Sequence, residues 1–334
     1  MTSLAAGRAG PGTMQQVGDS DARLEEYRRE LTGYCYRMLG SAFDAEDAVQ
    51  DTMVRAWRAL DRFDGRSTLR TWIYRIANNV CLDMLASRKR RALPMDLGAA
   101  SPPVAESLGS PLPELTWIEP IPDAWVRLER GDPAEVAVAR ESVRLAFVSA
   151  LQRLPARQRA VLILREVLRW KADEVAELLE TTVASVNSAL QRARATMAEG
   201  ERLTDPDAMD DDQRALLVRY VHAFERYDID SLVSLLHEDA TASMPPFQLW
   251  LRGAVDIGRW HLGPGMGCRG SRLVPVAASG RPAFAHYRPS GHAGHWEPFS
   301  IQVIEISAGR IVDITYFLDT KLFPVFGLPP QLDS

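Results

Sequence analysis

The sequence predicts a multidomain chain in which two all-α units precede one α+β unit with a curved antiparallel sheet. Three observations support this prediction. Apolar residues recur at three- and four-residue spacing over residues 21–92 and again over 134–200. A proline-rich segment without any period separates these two stretches. From residue 213, two amphipathic helices precede a series of short strand-like runs, which is an α+β pattern.

Composition narrows the class of protein. Of the 334 residues, 46% are apolar and 25% charged, as in ordinary globular proteins. No apolar run approaches the roughly 20 residues that a membrane span needs. Residues 1–20 lack the apolar core of a signal peptide, so we expect a disordered leader and a cytoplasmic protein without membrane contact. The three scattered cysteines predict neither disulfides nor a metal site, and nothing indicates a cofactor.

The first helical unit, residues 21–92, has an acidic helix start and a basic end. Acids at residues 44–47 occupy the first turn of its second helix, where the helix dipole favours negative charge. Between Arg66 and Arg91, seven basic residues accompany one acid, Asp83. This local basic patch indicates nucleic-acid contact more strongly than the net charge of −5 argues against it.

Residues 93–133 differ from both of their neighbours. They contain eight prolines and no sustained period, and their acids outnumber their bases seven to two. This composition predicts an acidic, proline-rich linker that runs as an extended tether instead of folding.

The second helical unit, residues 134–200, carries the pattern of a helix-turn-helix. From Leu154 to Arg194, three short amphipathic helices are separated by turns, and the third helix opens at Ser185. Short polar side chains near the start of that helix, with arginines further along, are the groups that base edges and phosphates require. The alternative is an ordinary helical hairpin with a solvated charged face. The pattern favours docking on double-stranded DNA.

The third unit, residues 213–327, follows an acidic hinge at residues 201–212. Strand-like runs extend between residues 241 and 317, and a helical run at residues 255–261 interrupts them. The turn Ser307–Arg310 joins the last two runs as a hairpin.

The first two units resemble an extracytoplasmic-function (ECF) sigma factor of bacterial RNA polymerase. The likeness covers roughly residues 21–200. It depends on three segments in order: DAEDAVQDTMVRAWR (44–58), TLRTWIYRIANNVCLDMLASRKRR (68–91) and the helix-turn-helix beyond the linker. The resemblance implies a subunit without catalytic activity that binds core RNA polymerase, recognises and melts promoter DNA, and starts transcription. Its partners would be the two largest polymerase subunits and the promoter.

The resemblance assigns polymerase binding to the helix with the acidic start. Four of its side chains lie at i, i+3, i+4 and i+8 and so share one face. A merely solvated face is the alternative. Trp57 and Trp72 are expected to lie in the core. The predicted polymerase contacts are Asp47, Gln50, Asp51 and Arg55.

The basic segment would contact and help to melt the minus-ten element. Opening a duplex requires a surface for an unpaired base and cations along the backbone. Asparagine can pair with adenine, and aspartate can accept from the amino group of cytosine. The predicted contacts are Arg66, Arg70, Asn78, Asn79, Asp83, Arg88, Lys89, Arg90 and Arg91.

The third helix of the helix-turn-helix would read the minus-thirty-five element in the major groove. Many members of the family carry Lys or Arg where this chain has Asn187 and Ala189, so the family's promoter sequence does not carry over. The predicted contacts are Ser185, Asn187, Ser188, Gln191, Arg192 and Arg194.

The third unit is similar to the SnoaL-like branch of the cone-shaped fold that nuclear transport factor 2 shares with ketosteroid isomerases. The similarity implies a domain that modulates the sigma factor, with a pocket for a small-molecule ligand. The alternative function is a one-component DNA-binding regulator fused to a ligand-sensing or enzymatic cone domain, which would bind duplex DNA without polymerase. The candidate pocket residues are Asp239, Trp250, Trp260, His261 and Tyr287.

Overall fold

The structure, a computed structural model, describes residues 23–86, 90–126, 132–198 and 210–333. The predicted leader (residues 1–20), the predicted phosphate contacts Arg88 and Lys89, and most of the predicted hinge lie outside these residues. Within them the predicted fold class is confirmed, because two helical units precede an α+β unit.

The first unit is a three-helix bundle. The left-handed φ of +76° at Gly40 ends its first helix and turns the chain within one residue. Ser41 then caps the second helix, because its Oγ accepts a hydrogen bond from the N–H of Asp44 at 3.1 Å. The helices are α1 (Arg28–Leu39), α2 (Ala42–Ala59) and α3 (Leu69–Ala86).

The described part of the linker, residues 93–126, is folded, so the prediction of an extended tether is wrong there. Ile118 and Ile121 are fully buried. The N–H of Glu119 donates to the carbonyl of Gly40 at 3.0 Å, and the N–H of Ser279 donates to the carbonyl of Ile121 at 2.9 Å. The prolines permit this course, since a fixed φ suits extended segments that form no regular ladder. Burial of the apolar residues between them stabilises it, by about 25 cal/mol for each Å² removed from water.

The second unit contains five α-helices and one π-helical turn. The chain between its helices bends at Arg169 and Glu180, two non-glycine residues with positive φ of 57° and 51°. The elements are α4 (Pro133–Glu141), α5 (Leu145–Gln152), α6 (Ala156–Leu162), the π turn (Ile163–Val167), α7 (Ala172–Leu178) and α8 (Val183–Ala198).

The two helical units pack directly on each other. Helix α1 lies against α5 and α6, and α3 lies against α6 and α7. Arg159 of α6 is only 4% exposed and donates to the carbonyl of Met38 at the end of α1. Apolar residues of both units therefore form one continuous core, and the linker contributes Ile118, Ile121 and Val126 to it.

The third unit is a sheet with helices on both faces. The helices are α9 (Asp211–Arg226), α10 (Ile229–Ser234), α11 (Ala254–Leu262) and α12 (Leu322–Val325). The strands are β1 (Leu236–Ser243), β2 (Trp250–Arg252), β3 (Arg272–Ala278), β4 (Arg281–Pro289), β5 (His295–Ser307), β6 (Arg310–Phe317) and β7 (Leu332–Asp333). The strand order is β2-β1-β6-β5-β4-β3, with β7 paired to β5. Helices α9, α10 and α11 belong to the core of the third unit, whereas Leu322 and Phe323 of α12 belong to the core shared with the helical units.

The sheet is mixed, whereas the sequence predicted an antiparallel one. Strands β1 and β6 run parallel, with Thr241 opposite Asp313 and Ser243 opposite Thr315. Apolar alternation reports which face of a strand is buried but not the direction of its neighbour, so the sequence pattern had no means of showing this pair. The sheet is also not closed: β2 and β3 end the order as edges.

Both faces of the sheet are buried. Phe284 and the apolar residues of α9 belong to the core of the third unit. Ala283 and Ala285, on either side of Phe284 in β4, belong to the core shared with the helical units. At the turn between β3 and β4, Gly280 has a φ of +70°, and a Cβ there would lie 2.7 Å from the carbonyl oxygen of Arg140. Only glycine allows this close approach between the sheet and α4. The helical units and α12 therefore cover the face of the sheet opposite α9, α10 and α11.

Candidate nucleic-acid interface

Helix α8 presents a polar face to solvent. Val186, Leu190 and Ala193 point into the core and are at most 6% exposed. Thr182 lies just before the helix, and its Oγ1 accepts a hydrogen bond from the N–H of Ser185 at 3.2 Å. The structure places all six predicted minus-thirty-five contacts on the exposed face: Ser185, Asn187, Ser188, Gln191, Arg192 and Arg194.

Arg194 differs from the other five because it already has a partner. Its Nη2 lies 2.5 Å from Oε1 of Glu166 in the π turn. Arg192 lies near the middle of the exposed face, at a position from which a guanidinium can reach base edges or phosphates. Among the described residues of α8, Arg192 is therefore the strongest candidate for direct DNA contact.

Helix α2 presents the predicted polymerase face. Asp47, Gln50 and Arg55 are exposed and Asp51 is partly exposed. Arg55 Nη2 lies 2.7 Å from Asp51 Oδ2 and its Nη1 lies 3.6 Å from Asp83 Oδ2. The four predicted side chains thus lie along one open face.

Two apolar side chains beside this face were not predicted as contacts. Trp57 is 56% exposed and Val54 is 45% exposed. Sequence reasoning placed Trp57 in the core because tryptophan is mostly buried. Its position seven residues after Gln50 was the signal that could have shown it, because residues seven apart lie on the same face of a helix. Trp72, also expected in the core, is partly buried and packs on Phe63, with a distance of 5.3 Å between the ring centroids.

The predicted minus-ten contacts separate into exposed and buried groups. Arg66 is 89% exposed and pairs with Asp64 at 2.6 Å. Asn79, Asp83 and Arg90 are also exposed. Arg66, Asn79, Asp83 and Arg90 can therefore meet a ligand without rearrangement.

Asn78 and Arg91 are buried, at 2% and 5% exposure. Asn78 Oδ1 accepts a hydrogen bond from the hydroxyl of Tyr34 at 3.0 Å, inside the bundle. Arg91 lies 2.6 Å from Asp44 Oδ2 and also donates to the carbonyl of Glu114 at 3.1 Å. In this arrangement both side chains hold the structure together and neither reaches DNA. Sequence spacing could not show this, because their partners are distant in the chain.

Arg91 belongs to a buried cluster in which the pKa of one carboxyl group is raised. Glu119 is 8% exposed, and its Oε1 lies 3.9 Å from Arg91 Nη1. Burial raises the pKa of Glu119 to about 7, and this desolvation outweighs the nearby guanidinium and the hydrogen bond from Ser41. The junction of the first unit, the linker and the third unit therefore contains a carboxyl that titrates near neutral pH.

The helix-turn-helix covers part of the minus-ten surface. The guanidinium of Arg70 lies 4.8 Å from the ring centroid of Trp170, and its Nε donates to Glu30 Oε1 at 3.0 Å. Arg75 Nη2 donates to the carbonyl of Glu177 in α7 at 3.2 Å. The two predicted DNA-reading units are therefore joined face to face.

The candidate pocket of the third unit contains only two of its five predicted residues. Trp260 and His261 line a cavity between the sheet and the helices. Asp239 is exposed and lies 3.7 Å from Arg252. Trp250 Nε1 instead donates to the carbonyl of Gly98 in the linker at 3.0 Å, and Tyr287 donates to the carbonyl of Pro329 at 2.9 Å. Asp239, Trp250 and Tyr287 therefore do not form the pocket.

Within the part of the chain that the structure describes, no group of three or more His, Cys, Asp or Glu side chains lies in an arrangement that could hold a metal ion. Of the helices described, none has the length and apolar character needed to cross a membrane.

Three family models match successive parts of the chain. They are described as Sigma-70 region 2 (residues 24–91), Sigma-70, region 4 (144–197) and SnoaL-like domain (217–314).

Two relatives and one solved structure are similar to most of this chain. ECF RNA polymerase sigma factor SigG of Mycobacterium tuberculosis (strain ATCC 25618 / H37Rv) is 46% identical over 327 residues, covering 95% of this chain and 86% of SigG. SigJ of the same strain is 29% identical over 249 residues, covering 72% of each chain. The crystal structure of the extracytoplasmic function sigma factor SigJ from M. tuberculosis covers 94% of this chain and 100% of SigJ, with a TM-score of 0.58. Its 22% identity supports a shared fold alone.

Proposed function

The chain belongs to the extracytoplasmic-function RNA polymerase sigma factors, and we propose that its three units divide the work of promoter recognition among them. The first unit binds core polymerase through Asp47, Gln50, Asp51 and Arg55 and meets the minus-ten element through its exposed basic and amide side chains. The second unit reads the minus-thirty-five element through α8. The partners are the largest and second-largest polymerase subunits and promoter DNA, which places the protein in the bacterial cytoplasm.

The exposed polar face of α8 is the observation that carries this proposal. Six side chains that can donate or accept hydrogen bonds point outward from a helix whose other face is fixed in the core. A helix held in this way enters the major groove as a rigid unit.

Promoter recognition requires the two helical units to separate. The minus-ten and minus-thirty-five elements lie roughly 25 base pairs apart, which is roughly 85 Å along B-form DNA. Here α3 and α7 are in contact. The arrangement in which α3 and α7 are in contact, here called the closed arrangement, therefore cannot contact both elements at the same time. We propose that it is the inactive form.

We further propose that the third unit regulates this opening and carries out no reaction. It packs on both helical units and on the linker, so it favours the closed form. Its cavity has no carboxylate among the described residues that line it, and its buried His261 and His286 are weak bases, because burial lowers their pKa values to about 4 and about 3.

Run-off transcription with purified core polymerase tests the sigma function directly. We expect a specific transcript with the full chain and none with core polymerase alone. Asp47→Arg should abolish both co-purification with core polymerase and the transcript. Asp230→Arg is the matched control, because Asp230 is an equally exposed acid on a helix of the third unit. Specific binding to duplex DNA without polymerase, with no transcript when polymerase is present, would instead support a one-component regulator.

A further inference from the structure

The third unit encloses a cavity of about 170 Å³ between the sheet and helices α9 and α11. Three aromatic side chains, Phe224, Trp260 and Phe299, supply much of its wall. An apolar cavity of about 150 Å³ is known to hold a benzene molecule. The volume therefore suits one ring with a few further atoms.

One polar side chain beside this cavity lacks a partner. Nδ1 of His261 is buried and forms no hydrogen bond within the part of the chain that the structure describes, and the residue is 4% exposed. Tyr316, also in the lining, interacts instead with the hydroxyl of Tyr220, which donates to Gln302 Oε1 at 2.8 Å. Buried polar groups are almost always paired, so the unpaired nitrogen of His261 indicates a missing partner.

His286, on the same wall, differs from His261 because both of its ring nitrogens have partners. Its Nε2 lies 2.8 Å from Ser271 Oγ and its Nδ1 lies 3.2 Å from Ser300 Oγ, so both ring nitrogens are satisfied. Among the described residues of the lining, the polar atom that remains for a ligand is Nδ1 of His261.

The electrostatics of the cavity disfavour a charged ligand. Burial lowers the pKa of His261 to about 4, so this side chain is neutral at neutral pH. The charged side chain of the lining, Arg288, is already paired with Glu297 at 3.2 Å. An anion or cation would lose its hydration without gaining a free counter-charge.

The linker forms part of the cavity wall. Leu108, in the linker turn Ala105–Leu108, packs on the core of the third unit and lines the cavity. Backbone hydrogen bonds hold the linker on either side of this turn. The N–H of Ser101 donates to the carbonyl of Trp250, and that of Leu112 to the carbonyl of Pro246, both at 2.8 Å.

We propose that this cavity binds a small neutral aromatic molecule with one hydroxyl or carbonyl group, and that the bound molecule holds the linker on the third unit. A ligand that touches both the linker and the sheet binds the docked linker more tightly than the released one, so it shifts the population toward the docked form. If the closed form is inactive, as proposed above, the ligand lowers transcription. This last step rests on the proposed function, whereas binding does not.

Calorimetric titration of the full chain with three probes that share a methylphenyl group tests the site. We expect p-cresol to bind one to one, toluene at least fivefold more weakly, and 4-methylbenzoate at least fiftyfold more weakly. His261→Leu, which removes the unpaired Nδ1 and keeps a similar volume, should weaken p-cresol about fivefold and leave toluene unchanged. No saturable p-cresol binding, or equal binding of p-cresol and toluene, would overturn the proposal.

A cavity-filling variant tests the location. Cys268 lines the cavity, packs on the core of the third unit and is only partly exposed, so Cys268→Phe adds bulk at the wall. We expect at least a tenfold loss of p-cresol affinity. Met266→Leu is the control, because Met266 lies in the same turn and is 57% exposed. Unchanged p-cresol affinity in Cys268→Phe would place the ligand elsewhere and overturn the assignment.

Hydrogen exchange tests the coupling to the linker. Saturating p-cresol should slow amide exchange in the peptides that contain Ser101 and Leu112, and Leu108→Ala should weaken p-cresol at least threefold. Unchanged linker exchange at saturation would refute the coupling. The same p-cresol titration in run-off transcription separates the two proposals: absence of any transcript without p-cresol contradicts the sigma function and leaves the binding results intact.

Discussion

Arg37 and Ser142 form a buried hydrogen-bonded pair that joins the first helical unit to the second. Arg37 Nη2 donates to Ser142 Oγ at 2.7 Å, and its Nε donates to the same oxygen at 3.0 Å. The two residues are 4% and 1% exposed. Burial lowers the pKa of the Arg37 guanidinium to about 10, which still leaves it charged at neutral pH. Among the described residues, neutral acceptors thus hold this charged group across the interface of the two units.

Arg37→Met should therefore loosen the closed arrangement. Hydrogen bonds to charged groups contribute about 1.5–3 kcal/mol, so we expect the balance between closed and open forms to shift by about 1–2 kcal/mol, roughly 5- to 30-fold. Small-angle X-ray scattering should show a larger radius of gyration. Arg219→Met, an exposed substitution on α9, is the control. Identical scattering of Arg37→Met and the unsubstituted chain would contradict the prediction.

Glu305→Gln should destabilise the junction of α4 and α5 with the sheet. Glu305 Oε2 lies 2.9 Å from Arg281 Nε, and Glu305 Oε1 lies 2.5 Å from Arg144 Nη2. These side chains are 9–20% exposed. Glu141 also pairs with both Arg144 and Arg281, so removing the Glu305 charge leaves the two guanidinium groups with one carboxylate in place of two. We expect the free energy of unfolding to fall by about 1.5–3 kcal/mol, the contribution of hydrogen bonds to charged groups, as measured by urea denaturation.

The control for that experiment is Glu297→Gln. Glu297 pairs with Arg288 at 3.2 Å, but the two side chains are 49% and 43% exposed, and exposed pairs contribute about 0–1 kcal/mol. Equal losses of unfolding free energy in Glu305→Gln and Glu297→Gln would show that burial does not decide the strength of the Glu305 ion pairs.

Glu119 should make stability fall as the pH rises toward neutral. Its folded-state pKa, about 7, lies above its ordinary value of 4.5 because of burial. Between these values the folded state holds a proton that the unfolded state has lost, so the free energy of unfolding falls by up to about 1.4 kcal/mol per pH unit and levels off above pH 7.

Glu119→Gln should remove this decline. The variant resembles the protonated acid, so we expect it to match the unsubstituted chain at pH 5 and to be more stable at pH 8, as measured by urea denaturation across that range. Glu114→Gln, at a side chain 62% exposed, controls for the change of charge. Parallel pH curves for the Glu119 variant and the unsubstituted chain would mean that Glu119 is ionised in the fold.

Arg192→Ala should lower promoter-specific transcription and leave polymerase binding intact. A good arginine contact to a base contributes about 1–3 kcal/mol of discrimination, so we expect roughly a tenfold or greater loss in run-off transcription from the cognate promoter. Co-purification with core polymerase should not change. Arg214→Ala, at a position on α9 that is 61% exposed, is the matched control. Unchanged promoter selectivity in Arg192→Ala would remove α8 as the reading helix.

Local sequence patterns were sufficient for much of the candidate interface. The polar residues of α8 and the charged residues of α2 lie outward as their spacing predicted, because a helix repeats every 3.6 residues and the core takes one face. The same argument located the strands of the third unit, whose alternate residues enter two different cores.

The sequence by itself determined the order of the units, the helix faces and the helix-turn-helix, since each follows from interactions within about twenty residues. Only the tertiary structure decided that Arg91 pairs with Asp44, that Asn78 is bonded to Tyr34, and that the linker is folded. The reason is physical: whether a polar side chain or a proline-rich segment is buried depends on partners that folding brings from distant positions. A buried polar group is stable only with those partners, and no local period records them.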